Sequence, residues 1–153
     1  MQGAEPMKTL DTGELMKLLQ SKKNFDYIIS VGESSMKPLS LKAFLERIRQ
    51  EKGMTIPQIM ISSGLSKSYI YQIFEGKRKA GRDVMLRIAF GMRLSVEETQ
   101  RLLTLSGNSV LYPKVRRDAA IIYALNKKST LIEAELLLEE LDENPMYGEK
   151  RDE

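Results

Sequence analysis

Apolar residues recur three or four positions apart along almost the whole chain. Most runs are opened by a serine, threonine or aspartate and several are closed by a glycine. This is the period and punctuation of amphipathic α-helices. Leu15, Leu18 and Leu19 follow Asp11 and Thr12, either of which can cap a short N-terminal helix. Residues 24–37 are the exception: Phe25, Tyr27, Ile28, Ile29 and Val31 suit a strand as well as a short buried helix, and both readings stay open. After Pro38 the helical period returns. Leu41, Phe44, Leu45 and Ile48 define one face of a helix capped by Ser40 and stopped by Gly53. Thr55 and Gln58 then form a Thr-x-x-Gln capping box, with Pro57 in the first turn, where a missing N–H is harmless. That helix ends at Gly64, and Ser66 caps the next, which is predicted to run to Gly76. A further helix follows Gly81. Another is capped by Ser95, with Glu97 and Glu98 in its first turn to complement the helix dipole.

Two short helices joined through Ser63, Gly64 and Leu65 have the spacing of a helix-turn-helix. Ile59, Met60, Leu65, Ile70 and Ile73 are placed to form the small core that fixes the crossing. Lys67, Ser68, Tyr69 and Gln72 are then left on the exposed face of the second helix. Such a helix fits the major groove, about 12 Å wide, where amide and amine side chains read base edges. Tyr69 and Tyr71 also suit a core, as aromatic residues at helical spacing usually do. Lys77, Arg78 and Lys79 with Arg82 would ordinarily be a solvated loop, but directly after a groove-reading helix they suit phosphate.

The remaining segment echoes the one before it. A shift of 35 positions lays Arg82 and Asp83 on Arg117 and Asp118, Ala89 on Ala124, and Glu98 on Glu133. Leu102 and Leu103 fall on Leu137 and Leu138, Tyr112 on Tyr147, and the caps Ser95 and Thr130 coincide. The pattern reads as one helical hairpin stacked twice around a shared core, although leucine spacing alone can align two amphipathic hairpins. The leucine-rich last helix, 131–141, offers either a dimer surface or a face that packs on its neighbour. Residues after Pro145 are expected to fray.

Charge adds a direction to this pattern. The net charge is only +3, but residues 66–93 carry seven basic side chains against Glu75 and Asp83, while nine acids after residue 130 face Lys150 and Arg151. A basic middle with an acidic end points to a polyanion-binding face coupled to a self-shielding tail. The 153 residues suit one domain with an appendage, and no apolar run approaches the roughly 18 residues needed to span a bilayer. Nor does the start show a basic region followed by an apolar stretch, so a cytoplasmic protein without a secretory signal is expected. With no Cys and no His, thiolate and imidazole metal sites, Cys nucleophiles and His bases are excluded, and no cofactor or catalytic residue is expected. Ser34 and Lys37 satisfy Ser-x-x-Lys, yet the companion Ser-Asp-Asn and Lys-Thr-Gly elements are missing, so the match is read as accidental.

Between Leu41 and Leu103 the chain resembles the lambda-repressor-like, or XRE, helix-turn-helix family of bacterial and phage regulators. The resemblance is carried by "EKGMT", by "SGLSKSYIYQIFEGKRK" across the turn and second helix, and by "LRIAFGMRLSVEE". "YQIFEGKRKAGRD", "AFG" and "EETQRLLTLSG" together also look like a subgroup of small regulators from Gram-positive bacteria. The resemblance implies base reading by Lys67, Ser68 and Gln72, and backbone contacts from Ser66 and from Lys77, Arg78 and Lys79. Two positions depart from the family pattern. Ile56 stands where a phosphate-contacting Gln is common, and Phe74 where a Glu usually pairs with the equivalent of Arg49, which here can lie on the Phe74 ring or reach Glu75.

These readings combine into an all-α fold: a lambda-repressor-like five-helix domain with an additional C-terminal helical hairpin and a short N-terminal helix. The expected division is 1–37 for an N-terminal extension, 38–112 for the DNA-binding domain, 113–145 for the hairpin and 146–153 for a tail. The expected function is sequence-specific transcriptional regulation, without enzymatic activity or metal. Backbone contacts are assigned to Ser66, Lys77, Arg78, Lys79 and Arg82, and base reading to Lys67, Ser68 and Gln72. Double-stranded DNA and a second copy of the chain are the expected partners, with a protein partner through the hairpin as a further one. The alternative function is a protein-interaction adaptor built on a helix-turn-helix scaffold.

Overall fold

Strong local start and stop signals produce eight helices and no strand among the residues described. A computed structural model describes residues 11–21 and 39–147. The undecided stretch at 24–37, with Ser34 and Lys37, and the tail from 148 onward lie outside them. The first helix, α1 (Thr12–Gln20), is capped by Asp11 rather than Thr12: the Asp11 carboxylate accepts from the Glu14 N–H at 2.7 Å, and Glu14 reciprocates. It belongs to the unit Met1–Leu39, and none of its side chains is buried.

The second unit, Ser40–Glu153, holds the other seven helices: α2 (Leu41–Lys52), α3 (Ile56–Ser63), α4 (Lys67–Phe74), α5 (Arg82–Gly91), α6 (Val96–Leu105), α7 (Arg116–Asn126) and α8 (Leu131–Glu140). α4 therefore stops two residues short of the glycine expected to end it. Capping boxes open α3, α6 and α8 through Thr55 and Gln58, Ser95 and Glu98, and Thr130 and Glu133. α5 is the central element. It packs on α3, α6 and α8, and buries Met85, Leu86, Ile88, Ala89 and Phe90. Gly91 lets α3 approach closely, because a Cβ there would lie 3.0 Å from the Ser62 hydroxyl and 3.1 Å from Ser63. The Ser62 hydroxyl instead donates to the Gly91 carbonyl at 2.9 Å.

The internal repeat is visible in contacts as well as in letters. Arg82 pairs with Asp118 at 2.8 Å and Arg117 with Asp83 at 3.0 Å, so each repeat donates an arginine to the other's aspartate. The rest of each guanidinium follows the same offset. Arg82 donates to the carbonyls of Ser109 and Val110, and Arg117 to those of Asn144 and Pro145. Gln100 holds the backbone of Leu111, and its counterpart Glu135 accepts from the N–H groups of Met146 and Tyr147. Even the left-handed residues correspond: Arg93 with Lys128, and Gly107 with Asp142. The boundary expected near residue 112 is thus a change of repeat within one unit, crossed by both ion pairs.

This packing corrects the expected fraying after Pro145 for two residues. Met146 is buried, in the place that Leu111 occupies one repeat earlier. The ring of Tyr147 lies 3.9 Å from the Arg87 guanidinium, over the turn between α3 and α4.

Burial pushes the Asp118 carboxyl up, but the Arg82 hydrogen bonds, the Tyr112 N–H and the charges of Arg82 and Arg117 outweigh it and hold it below its ordinary value. Glu98 is shifted the same way: burial opposes, while the Ser95 backbone N–H and the Lys52 ammonium prevail. A carboxyl depressed in the folded chain takes up its proton first in the unfolded one. Its contribution is therefore whole above the unfolded value, about 4, and is lost as the pH falls through the lower folded values. Thermal melts are expected to show a constant Tm above about pH 5 and a falling one below about pH 4. Glu98→Gln, which preserves the capping box as Gln58 does in α3, should make that acid limb shallower.

Candidate nucleic-acid interface

α4 is anchored by one face and open on the other. Ile70, Ile73 and Phe74 are buried, and with Ile59 and Leu65 they fill the small core below the turn, whereas Met60 is only half-buried. Ser66 caps the helix by accepting from the Tyr69 N–H at 3.3 Å. Lys67 and Ser68 stand exposed in the first turn, and Gln72 lies one turn further on the same side, half-buried.

The basic loop after α4 folds back onto it. Arg78 donates to the Gln72 side-chain carbonyl at 3.1 Å, and its guanidinium lies 4.7 Å from the centre of the Tyr69 ring. Gln72 in turn donates to the Ser68 hydroxyl at 3.3 Å. Ser68, Gln72, Arg78 and Tyr69 therefore form one connected surface. Tyr69, which the sequence left between core and surface, serves as a platform for a cation. Lys77 pairs with Glu75 at 3.3 Å through two well-exposed side chains, a contact that is weak in water. Lys67 and Lys79 have no ion-pair partner among the described residues.

Arg82 is engaged elsewhere. Its guanidinium is shared among Asp118 and the carbonyls of Ser109 and Val110, so its donors are occupied inside the repeat stack and it leaves the phosphate set assigned from sequence. Arg49 also differs from both alternatives weighed for it. It pairs with Glu46 one turn earlier and donates to the Met54 carbonyl at 2.9 Å, closing the junction between α2 and α3. The Glu46 hydrogen bond raises the Arg49 pKa further above its ordinary value.

Two residues assigned no site role from the sequence position the turn. Arg87 on α5 donates to the Ser63 carbonyl at 3.2 Å and the Gly64 carbonyl at 2.8 Å, pinning the strand of backbone that leads into α4. Tyr147 covers that arginine, and a Cβ at Gly64 would lie 2.1 Å from its hydroxyl. Gly64 also has φ +70, so a side chain there meets both a clash and backbone strain. The 35-residue repeat aligns Tyr147 with Tyr112, which is 56% exposed, so it gave no signal for the Tyr147 contact, and nothing local pointed to Arg87. No cluster of three or more potential metal ligands occurs among the described residues, and none of their helices is long and apolar enough to cross a membrane.

Comparison of the chain with protein-family models, with curated proteins and with solved structures found no match.

Proposed function

We propose that this chain is a sequence-specific double-stranded DNA-binding transcriptional regulator, in which residues 38–112 act as a lambda-repressor-like domain and α4 enters the major groove. The observation that carries the reading is the surface of α4. An exposed Lys67 and Ser68 and a pre-oriented Gln72 lie beside a basic loop whose Arg78 is drawn onto the same helix. Base-edge chemistry and phosphate chemistry are therefore adjacent, the combination that sequence-specific binding requires. Lys67 can donate to guanine O6 and N7, and Gln72 can pair with adenine N6 and N7. Ser66, Lys77, Arg78 and Lys79 would meet the backbone, with the N-terminus of α4 adding its dipole.

The reading is tested by fluorescence anisotropy on random duplex and on duplexes enriched from a random pool. Binding to both should weaken steeply with salt, and only the enriched duplexes should retain affinity above that common level. Salt-independent or absent duplex binding would overturn the reading. Gln72→Ala is expected to cost about 1 to 3 kcal/mol at one base position and to leave random-duplex affinity nearly intact. A uniform loss on every sequence would assign Gln72 to the fold instead.

A single α4 reads only a few base pairs, so two copies on half-sites about one helical turn apart belong to the same proposal. The adaptor reading is favoured by a different observation, the exposed apolar residues Ile61, Ile132 and Leu136 on α3 and α8.

A further inference from the structure

The three junctions α2–α3, α5–α6 and α7–α8 are built alike: a left-handed residue, then a capping residue two positions on, at Gly53 and Thr55, Arg93 and Ser95, Lys128 and Thr130. This correspondence gives each surface position on α8 an internal control. Where α8 exposes Ile132 and Leu136, α6 carries Glu97 and Arg101. Ile132 is 70% exposed and Leu136 58%. The fold accepts charge at both places, so apolar side chains there answer to something other than the folding of the hairpin. Ile61, at the corresponding position of α3, is 77% exposed.

These three residues border two adjoining grooves with a common wall made by Ile132 and Tyr147. The first groove, 510 Å³, contains Leu136 and carries only acidic charge, chiefly Glu139 and Asp142. The second, 300 Å³, contains Ile61 and carries only basic charge, Arg93 and Lys128. The strip is therefore apolar along its middle and oppositely charged at its two ends. Rotated by half a turn about the shared wall, it complements itself.

We infer that this strip is the contact surface for a second copy of the chain. A two-fold axis beside Ile132 sets the two Ile132 side chains together and directs Leu136 of each copy towards the basic groove and Ile61 of the other. Glu139 and Asp142 then face Arg93 and Lys128 of the second copy. The contact is isologous and closes as a dimer, since each end is satisfied once by the same operation. The charges fix the antiparallel direction, because a parallel arrangement opposes acid to acid and base to base. The inference names the pairing surface for the two-copy arrangement proposed above, but it stands without DNA, and so does its test.

Sedimentation equilibrium of the full chain in the absence of duplex reads the outcome. The wild type should form a concentration-dependent dimer. Ile132→Glu with Leu136→Arg installs the residues that α6 carries at those positions, and should raise the dimer dissociation constant about tenfold or more while helicity is retained. Glu139→Lys with Asp142→Lys, and separately Arg93→Glu with Lys128→Glu, should each weaken self-pairing. An equimolar mixture of these two charge-reversed proteins should regain dimer, because the reversed ends again find opposite charge. A monomeric wild type, a dimer unaffected by the Ile132 and Leu136 changes, or a mixture no better than its components would overturn the inference. A dimer that passes all these tests and yet ignores duplex DNA would leave this surface standing and sink the DNA-binding reading alone.

Discussion

Asp118→Ala is expected to lower the unfolding free energy by about 3 kcal/mol, the largest loss from any single charged side chain in the second unit. Asp118 is almost fully buried, and its two oxygens receive two hydrogen bonds from Arg82 and one from the Tyr112 N–H. Truncation leaves a guanidinium, itself only 23% exposed, held by two carbonyls without a counter-charge. It also leaves the Tyr112 N–H without its acceptor. The cost is dominated by these abandoned donors rather than by the attraction removed. Asp83→Ala removes the counterpart pair in the repeat and also abandons a guanidinium, that of Arg117, but Asp83 is 40% exposed and accepts from no backbone N–H among the described residues, so the loss should be smaller, about 1 to 2 kcal/mol. Urea titrations of the two variants measure the difference. Equal losses would show that burial does not distinguish the two pairs.

Replacing Lys77, Arg78 and Lys79 together by Ala is expected to lower affinity for every duplex by about 100-fold at low salt. The slope of log affinity against log salt should shrink by about 2 to 3, near 0.9 for each phosphate no longer neutralised. These side chains are exposed and contribute little to the core, so Tm should hardly move. Arg82→Ala provides the contrast. Its guanidinium lies in the repeat stack, so the variant should melt earlier and, well below its Tm, keep the wild-type salt slope. Unchanged affinity in the triple variant would remove the loop from the interface and leave phosphate contact to other residues. A reduced salt slope in Arg82→Ala would return that residue to the phosphate set.

Helix positions and their caps were legible in the residues because capping, dipole and left-handed termination act within one turn of chain. The Thr55 box needs only a hydroxyl and a Gln three positions later and occurs in the structure, where Ser95 and Thr130, expected as caps alone, form boxes with Glu98 and Glu133 as well. The core face of α2 and most of the small core around the turn followed from helical spacing in the same way, since that period settles which residues share a side. The repeat was visible as a 35-residue echo, but letters alone did not separate it from chance leucine spacing. Matching hydrogen bonds at the same offset do.

Residues whose roles depend on distant partners were not legible. Arg82 belongs to a basic cluster in sequence, yet its partner Asp118 lies 36 residues away, and whether an arginine faces solvent or a carboxylate depends on which helices stack. Arg78 reaches Tyr69 through an irregular loop, where no period predicts direction. Tyr147 looked like the start of a frayed tail until α5 supplied Arg87 beneath its ring. The charge at either end of the Ile132 strip likewise belongs to separate segments. Local sequence thus specified the helices, their caps and their buried faces, because those forces act over a few residues. Tertiary packing decided which of the basic side chains remain available to a polyanion and which apolar ones remain uncovered. Both outcomes depend on ion pairs and packing between residues that only the stacked repeats bring within a few ångströms.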